Sequence, residues 1–185
     1  MLFRSELKPD QVPRLAHLLQ KATRDVTRGI DQGKDRFQRP RPYKVDEGPA
    51  CISRRSLGQS FDYPSGHAGV GWSWALILSQ AEPARTDALL ARGRAIGESR
   101  VFCGVHNASS VEASRTVVDA AMKLVVANPR YQDDLRKARE EFRRVAADPA
   151  TLHPDPQACR AEAQLLAMPL PGLSGAASPS ASPTR

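Results

Sequence analysis

The stretch that decides the fold is residues 64–81, PSGHAGVGWSWALILSQA, which opens on a proline–glycine turn and contains no lysine, arginine or acidic residue. Its large apolar side chains fall on every side of a helix rather than on one stripe: Val70, Trp72, Trp74, Leu76, Ile77 and Leu78. A helix that is apolar all round lies in a protein core, because no face of it suits water. We therefore predict a central helix over Ser65–Ala81 with the rest of the chain packed around it.

Helical periodicity predicts four further helices, over about residues 10–33, 86–102, 109–128 and 130–147. Asp10 is the predicted N-cap of the first, and Ser109 with Glu112 forms a predicted capping box at the third. Gly93 and Gly97 predict close packing of the helix that carries them. No pattern indicates a strand, so the predicted fold is an all-α, single-domain helical bundle.

The predicted domain covers residues 1–148. Residues 149–185 are rich in proline, alanine and serine and predict a largely disordered tail, with one short helix over about 158–167. Three cysteines leave at least one unpaired. For Cys103 the sequence favours a buried free thiol, and a single disulfide remains the alternative.

Three separate segments carry the residues suited to chemistry. Arg100 and His106 flank a run of apolar and small residues, and such a run is more often buried, so both side chains need partners. Arginine offers forked donors to phosphate, lysine adds a point charge, and Ser-Gly at a helix start adds a hydroxyl and free N–H groups. Two histidines can serve as nucleophile and proton carrier. The predicted phosphoryl-transfer set is Lys34, Arg41, Ser65, Gly66, His67, Arg100 and His106.

The order of these segments is Lys, six residues, Arg-Pro; then Pro-Ser-Gly-His; then Ser-Arg, five residues, His. This order resembles the tripartite signature of the bacterial class A non-specific acid phosphatases, which share a superfamily with phosphatidate phosphatases and vanadium haloperoxidases. The similarity runs over about residues 15–126. The resemblance implies hydrolysis of small phosphate monoesters through a phosphohistidine on His106, with His67 as acid and base. The implied phosphate ligands are Lys34, Arg41, Ser65, Gly66 and Arg100.

The resemblance also implies a metal-independent reaction without a cofactor, and export to the periplasm. No signal peptide opens this chain, and it begins late relative to the family, so we expect it to lack the family's N-terminal part.

One position departs from the family pattern, which has an aspartate four residues after the second histidine. This chain has Ser110 there, so we expect Ser110 or Glu112 to orient His106, and Ser110→Asp to raise turnover. Two alternatives stay open: a phosphate-binding protein with reduced or no turnover, and a vanadate-dependent peroxidase.

The net charge of +7 suits an anionic partner. The aromatic content is only 5% and no nucleic-acid motif occurs, so nucleic acid is not the predicted partner. No apolar run is long enough to span a bilayer, so stable membrane insertion is not expected. A small phosphomonoester is the predicted partner, and a homo-oligomer stays open.

Overall fold

The structure is a computed structural model that describes residues 8–46, 48–148 and 155–168. Within these residues the regular structure is helical, with no strand, so the predicted all-α class is confirmed. Two short 3₁₀ turns cover Arg54–Leu57 and Pro83–Arg85. The helices are α1 Pro13–Phe37, α2 Pro42–Val45, α3 Gly66–Ala81, α4 Thr86–Phe102, α5 Ala108–Val126, α6 Pro129–Ala147 and α7 Pro156–Ala167.

Helix α3 lies at the centre, as its apolar sequence predicts, and packs against α1, α4, α5 and α6. Its residues Ala68, Ala75 and Leu78 are fully buried. Helix α4 approaches α3 so closely that a Cβ atom on Gly93 would lie 2.5 Å from the Cβ atom of Ala75. The close packing predicted from the glycines of α4 is therefore confirmed. A Cβ atom on Gly97 would lie 3.3 Å from the Cβ atom of Ala68, which places the later part of α4 next to the start of α3.

Helix α1 continues one turn beyond its predicted end at Gly33 and stops at Phe37. Gly33 does not end the helix. It makes room for the loop before α3, because a Cβ atom at this position would lie 2.7 Å from the Cδ atom of Pro64. The helix ends instead at Gln38, which has a left-handed backbone and donates its N–H to the carbonyl of Lys34.

The start of α1 also differs from the prediction, since its N-cap is Val12 and not Asp10. Val12 has no side-chain acceptor to offer. The buried carboxylate of Glu141 on α6 accepts the N–H groups of Arg14 and Leu15 instead, with N–O distances of 2.9 and 3.1 Å to Oε2. A distant side chain thus satisfies the donors that a local cap would otherwise bind.

Helix α5 begins after Asn107, and the capping box predicted for it does not form. The Ser109 hydroxyl accepts a hydrogen bond from Arg39, and Glu112 pairs with Arg115. Ser109 is therefore engaged with a residue that follows α1, and Glu112 with the next turn of α5, so neither side chain caps the helix.

Cys51 and Cys103 form a disulfide, and Cys159 is a free cysteine. The prediction of a free thiol at Cys103 is wrong. The disulfide joins the loop before α3 to the turn after α4, and the two backbones are also joined by a hydrogen bond from the N–H of Cys51 to the carbonyl of Cys103.

The predicted short helix near residues 158–167 is present as α7, which packs against α4. Residues 149–154 and 169–185, where the disordered tail is predicted, lie outside the described residues, so the domain boundary stays a prediction. None of the helices that the structure describes is long and apolar enough to cross a membrane.

Candidate active site

His106 lies on the turn between α4 and α5 and is only 2% exposed. The turn folds back tightly, because the N–H groups of Val105 and His106 both donate to the carbonyl of Arg100 at 3.2 Å. Gly104 makes this path possible with a φ of 68°, and a Cβ atom there would lie 2.4 Å from the carbonyl oxygen of Pro49. The backbone thus places His106 directly beside the end of α4.

Both ring nitrogens of His106 have a charged partner. The Nδ1 atom lies 2.9 Å from Oδ1 of Asp62, and the Nε2 atom lies 3.0 Å from Nη1 of Arg41. A guanidinium can only donate, so Nε2 must present its lone pair to Arg41. The proton is then on Nδ1 and is donated to the carboxylate. The surroundings therefore select the tautomer in which Nε2 is the nucleophilic atom.

Asp62, in the loop before α3, is completely buried. Its Oδ1 atom accepts hydrogen bonds from His106 and from the N–H of Asn107, and its Oδ2 atom accepts from Nδ2 of Asn107 and Nε of Arg39. Burial raises the pKa of Asp62, but hydrogen bonds from His106, Asn107 and Ser110 outweigh it and hold the pKa well below its ordinary value. Asp62 is therefore ionised in the folded protein.

The prediction that Ser110 or Glu112 orients His106 is wrong, because the bond at Nδ1 is made by Asp62. The hydroxyl of Ser110 accepts from Arg39, and Glu112 is exposed and paired with Arg115. Asp62 was not predicted from the sequence. The available signal was an acidic residue next to the Tyr-Pro-Ser-Gly-His turn in a chain without the family's aspartate.

Arg41 and Lys34 meet at Ser60. Arg41 is 3% exposed and donates from Nε to the carbonyl of Ser60 at 2.9 Å and from Nη1 to the carbonyl of Val105 at 2.8 Å. Lys34 donates to the hydroxyl of Ser60 at 2.7 Å. Burial, followed by the charge of Arg41, lowers the pKa of Lys34. Two cations are therefore held together beside His106, an arrangement that a bound anion would stabilise.

The N-terminal end of α3 faces the same cluster. Ser65 is fully buried and is the N-cap, with its hydroxyl accepting the N–H of Ala68. Gly66 and His67 form the first turn, where N–H groups have no intrahelical carbonyl to reach. His67 is exposed to solvent. Partial burial lowers its pKa, and the charges of Arg100, His106, Arg41 and Lys34 lower it further. His67 therefore lies close enough to the predicted site residues for their charges to act on it.

Arg100 extends from the last turn of α4. Its Nε atom is buried and has no hydrogen-bond partner in the part of the chain that the structure describes. Burial lowers the pKa of Arg100. A buried guanidinium donor is costly when unpaired, so a donor left without a protein acceptor is suited to a ligand oxygen.

The structure thus brings together the histidines and cations predicted from three distant segments, and the roles of these residues stay predictions. Among the described residues, no group of three or more His, Cys, Asp or Glu is placed to hold a metal ion. The positive charge of the site comes from its own side chains: Lys34, Arg41 and Arg100.

Comparison with known proteins points to the family predicted from the motifs. A non-specific acid phosphatase of Providencia stuartii is 39% identical over 111 residues, which are 59% of this chain and 45% of the relative. An acid phosphatase of Zymomonas mobilis subsp. mobilis is 33% identical over 154 residues, 82% of this chain and 58% of the relative. A non-specific acid phosphatase of Salmonella typhimurium is 37% identical over 111 residues, which are 59% of this chain and 44% of the relative.

The chain spans about half the length of these curated relatives. The sequence model of the PAP2 superfamily matches residues 16–130, which include most of α1, all three motifs and α5. The match covers more than half of the chain, and the chain therefore belongs to the PAP2 superfamily.

Proposed function

We propose that the protein hydrolyses small phosphate monoesters through a phosphohistidine on His106. The observation that supports this most is the state of the His106 ring, whose Nε2 lone pair faces Arg41 while its Nδ1 is bonded to a carboxylate. Three cations surround a nucleophile prepared in this way. The acid phosphatase names of the similar proteins agree with the proposal.

Substrate binding uses the unmatched positive charge. The non-bridging oxygens of a phosphate monoester accept hydrogen bonds from Lys34, Arg41 and Arg100, and from the Ser65 hydroxyl and the Gly66 N–H at the start of α3. Negative charge resides on these oxygens during transfer, so fixed donors stabilise the transition state. The N-terminal end of α3 adds the favourable field of the helix dipole.

In the first step the Nε2 lone pair of His106 forms a bond to phosphorus, and the bond from phosphorus to the ester oxygen breaks. Arg41 moves its donor from Nε2 to a phosphoryl oxygen. The departing alkoxide takes a proton from His67. It leaves as a neutral alcohol, and His67 becomes a neutral imidazole. The ester dianion raises the pKa of His67 on binding, because it offsets the cations that lower it in the free enzyme.

In the second step His67 removes a proton from water as the water oxygen attacks phosphorus. The bond between phosphorus and Nε2 breaks, which restores neutral His106 and releases inorganic phosphate. Exposure of His67 to solvent suits this step, because the water must reach phosphorus beside it.

We also propose a periplasmic location, in line with the resemblance to the class A acid phosphatases. The disulfide between Cys51 and Cys103 supports an oxidising compartment, where such bonds persist.

One support for the hypothesis of a phosphate-binding protein with reduced or no turnover was Ser110 in place of an orienting aspartate. Asp62 supplies a carboxylate to the same histidine, so that support is removed. Among the site residues that the structure describes, no feature favours a peroxidase over a phosphatase.

The test is hydrolysis of p-nitrophenyl phosphate by purified protein, with chemical quenching to detect phosphoenzyme. His106→Ala should abolish turnover and phosphoenzyme. His67→Ala should slow turnover yet accumulate phosphoenzyme, because nitrophenolate leaves without a proton. Wild-type protein without hydrolysis, or His106→Ala with the full rate, would overturn the proposal.

A further inference from the structure

The carboxylate that contacts His106 comes from a different part of the chain than the family pattern implies. The resemblance places an aspartate at position 110, in the first turn of α5. Here the acidic side chain is Asp62, in the loop before α3 and 44 residues before the histidine. Position 110 is occupied by a serine, which is completely buried.

Asp62 is held in one orientation by bonds at both its backbone and its side chain. Its N–H donates to the carbonyl of Arg39 at 2.8 Å, and Nε of Arg39 donates to Oδ2 of Asp62 at 2.7 Å. Asn107 donates from Nδ2 to Oδ2 at 2.8 Å and from its backbone N–H to Oδ1 at 3.2 Å. These four bonds prevent the carboxylate from rotating and keep Oδ1 facing Nδ1 of His106. The carboxylate therefore aligns the imidazole ring.

Asp62 and Ser110 are both completely buried, and they share a partner. Arg39 bonds to both, with Nε on Asp62 and Nη2 on the Ser110 hydroxyl. The Ser110 hydroxyl also contributes to lowering the pKa of Asp62. A carboxylate at either position, in the loop or on α5, would therefore lie beside Arg39. One negative charge suits this single guanidinium, since two carboxylates side by side would repel each other.

We propose that Asp62 is the positioning residue of His106, and that Ser110 is the small partner that leaves room for it. The carboxylate stabilises the positive charge that develops on the imidazole as Nε2 bonds to phosphorus. This inference rests on the proposed role of His106 and adds a residue that the family's motifs do not contain. It also reverses the expectation for Ser110→Asp, which now adds a second carboxylate and should give no gain in turnover.

The decisive experiment moves the carboxylate from one position to the other. We would compare Asp62→Ser, Ser110→Asp and the double variant, which carries serine at 62 and aspartate at 110. The control is Glu141→Gln, because Glu141 is another buried carboxylate that accepts backbone N–H groups away from the site. For each protein, kcat and KM for p-nitrophenyl phosphate, inhibition by inorganic phosphate, and Tm are measured.

Asp62→Ser should lower kcat by about 10²–10⁴-fold, a loss typical of an impaired histidine base or nucleophile. Inhibition by inorganic phosphate should change little, because Asp62 faces Nδ1 and not the phosphoryl oxygens. The double variant should recover at least about tenfold in kcat over Asp62→Ser. Glu141→Gln should lower Tm and leave kcat near that of the wild type. Unchanged turnover in Asp62→Ser, or no recovery in the double variant, would overturn the proposal.

A spectroscopic readout separates this inference from the proposed function. Proton NMR should show a strongly downfield Nδ1–H signal of His106 in the wild type, absent in His106→Ala and in Asp62→Ser, and restored in the double variant. This signal depends on the hydrogen bond and not on turnover, so it tests Asp62 even if the protein hydrolyses no phosphate ester. Persistence of the signal in Asp62→Ser would overturn the inference. If Asp62→Ser does not fold, Asp62→Asn keeps the size of the side chain, and the same losses are expected.

Discussion

Arg100→Met is the substitution that most directly separates anion binding from folding. The buried Nε atom of Arg100 has no hydrogen-bond partner in the described part of the chain, so replacing it breaks no bond that this atom makes to the protein. Methionine keeps much of the length and the apolar body of the side chain. The change therefore removes a donor that only a ligand would use.

The magnitude follows from the kind of bond that is lost. One hydrogen bond from a charged donor contributes about 1.5–3 kcal/mol, which corresponds to about 10- to 150-fold in a dissociation constant. We therefore expect Arg100→Met to weaken vanadate inhibition by about that factor, since vanadate presents the oxygens of the transferring phosphoryl group. The Tm should not fall, because the positive charge of Arg100 also disfavours the charged form of Arg41.

Arg41→Met provides the contrast. Its guanidinium bonds to the carbonyl groups of Ser60 and Val105, and the Val105 backbone is completely buried. Leaving a buried carbonyl without its donor costs about 1–3 kcal/mol. Arg41→Met should therefore weaken vanadate binding and also lower Tm. Arg136→Met, on the exposed side of α6, should change neither quantity appreciably.

The assay is competitive inhibition of p-nitrophenyl phosphate hydrolysis by vanadate, together with thermal unfolding of each variant. An NMR titration of His67 adds a third measurement, because removing the charge of Arg100 should raise the pKa of His67 toward its ordinary value. A lower Tm of Arg100→Met with unchanged vanadate inhibition would show that Arg100 serves folding and not anion binding. Equal weakening by Arg136→Met would show that only bulk charge matters.

Three other outcomes follow from the site. Hydrolysis should be unaffected by EDTA, and a loss that a divalent ion restores would contradict the cationic site. Burial lowers the pKa of both His106 and His67, so as pH falls below 6.5 His106 stays neutral and nucleophilic longer than a free histidine. The acid limb of the kcat/KM profile reports protonation of His106, and the basic limb reports loss of the proton from His67. We therefore expect both limbs on the acid side of 6.5, and an optimum above neutrality would contradict this. Gly104→Ala should lower Tm and kcat because its Cβ atom meets the Pro49 carbonyl, whereas Gly29→Ala, with open space around it, should lower neither.

The sequence by itself was sufficient to predict the helical class and to nominate the histidines and cations of the candidate site, but not Asp62. Helical periodicity is a local property, so α3 and its apolar surroundings could be predicted from neighbours in the chain. The motif residues could be assigned because proline, glycine, arginine and histidine occur in a characteristic order. The spacing within each motif reflects a local turn or helix end.

Only the tertiary structure showed which groups complete these local elements. The acceptor at the start of α1 is Glu141, 126 residues after Leu15 in the chain. The carboxylate at His106 is Asp62, although the nearest candidates in sequence were Ser110 and Glu112. Gly33 looked like a helix end because the sequence does not show that Pro64 packs against it. Hydrogen bonds and steric contacts depend on distance in space, and separation along the chain does not determine that distance once helices pack.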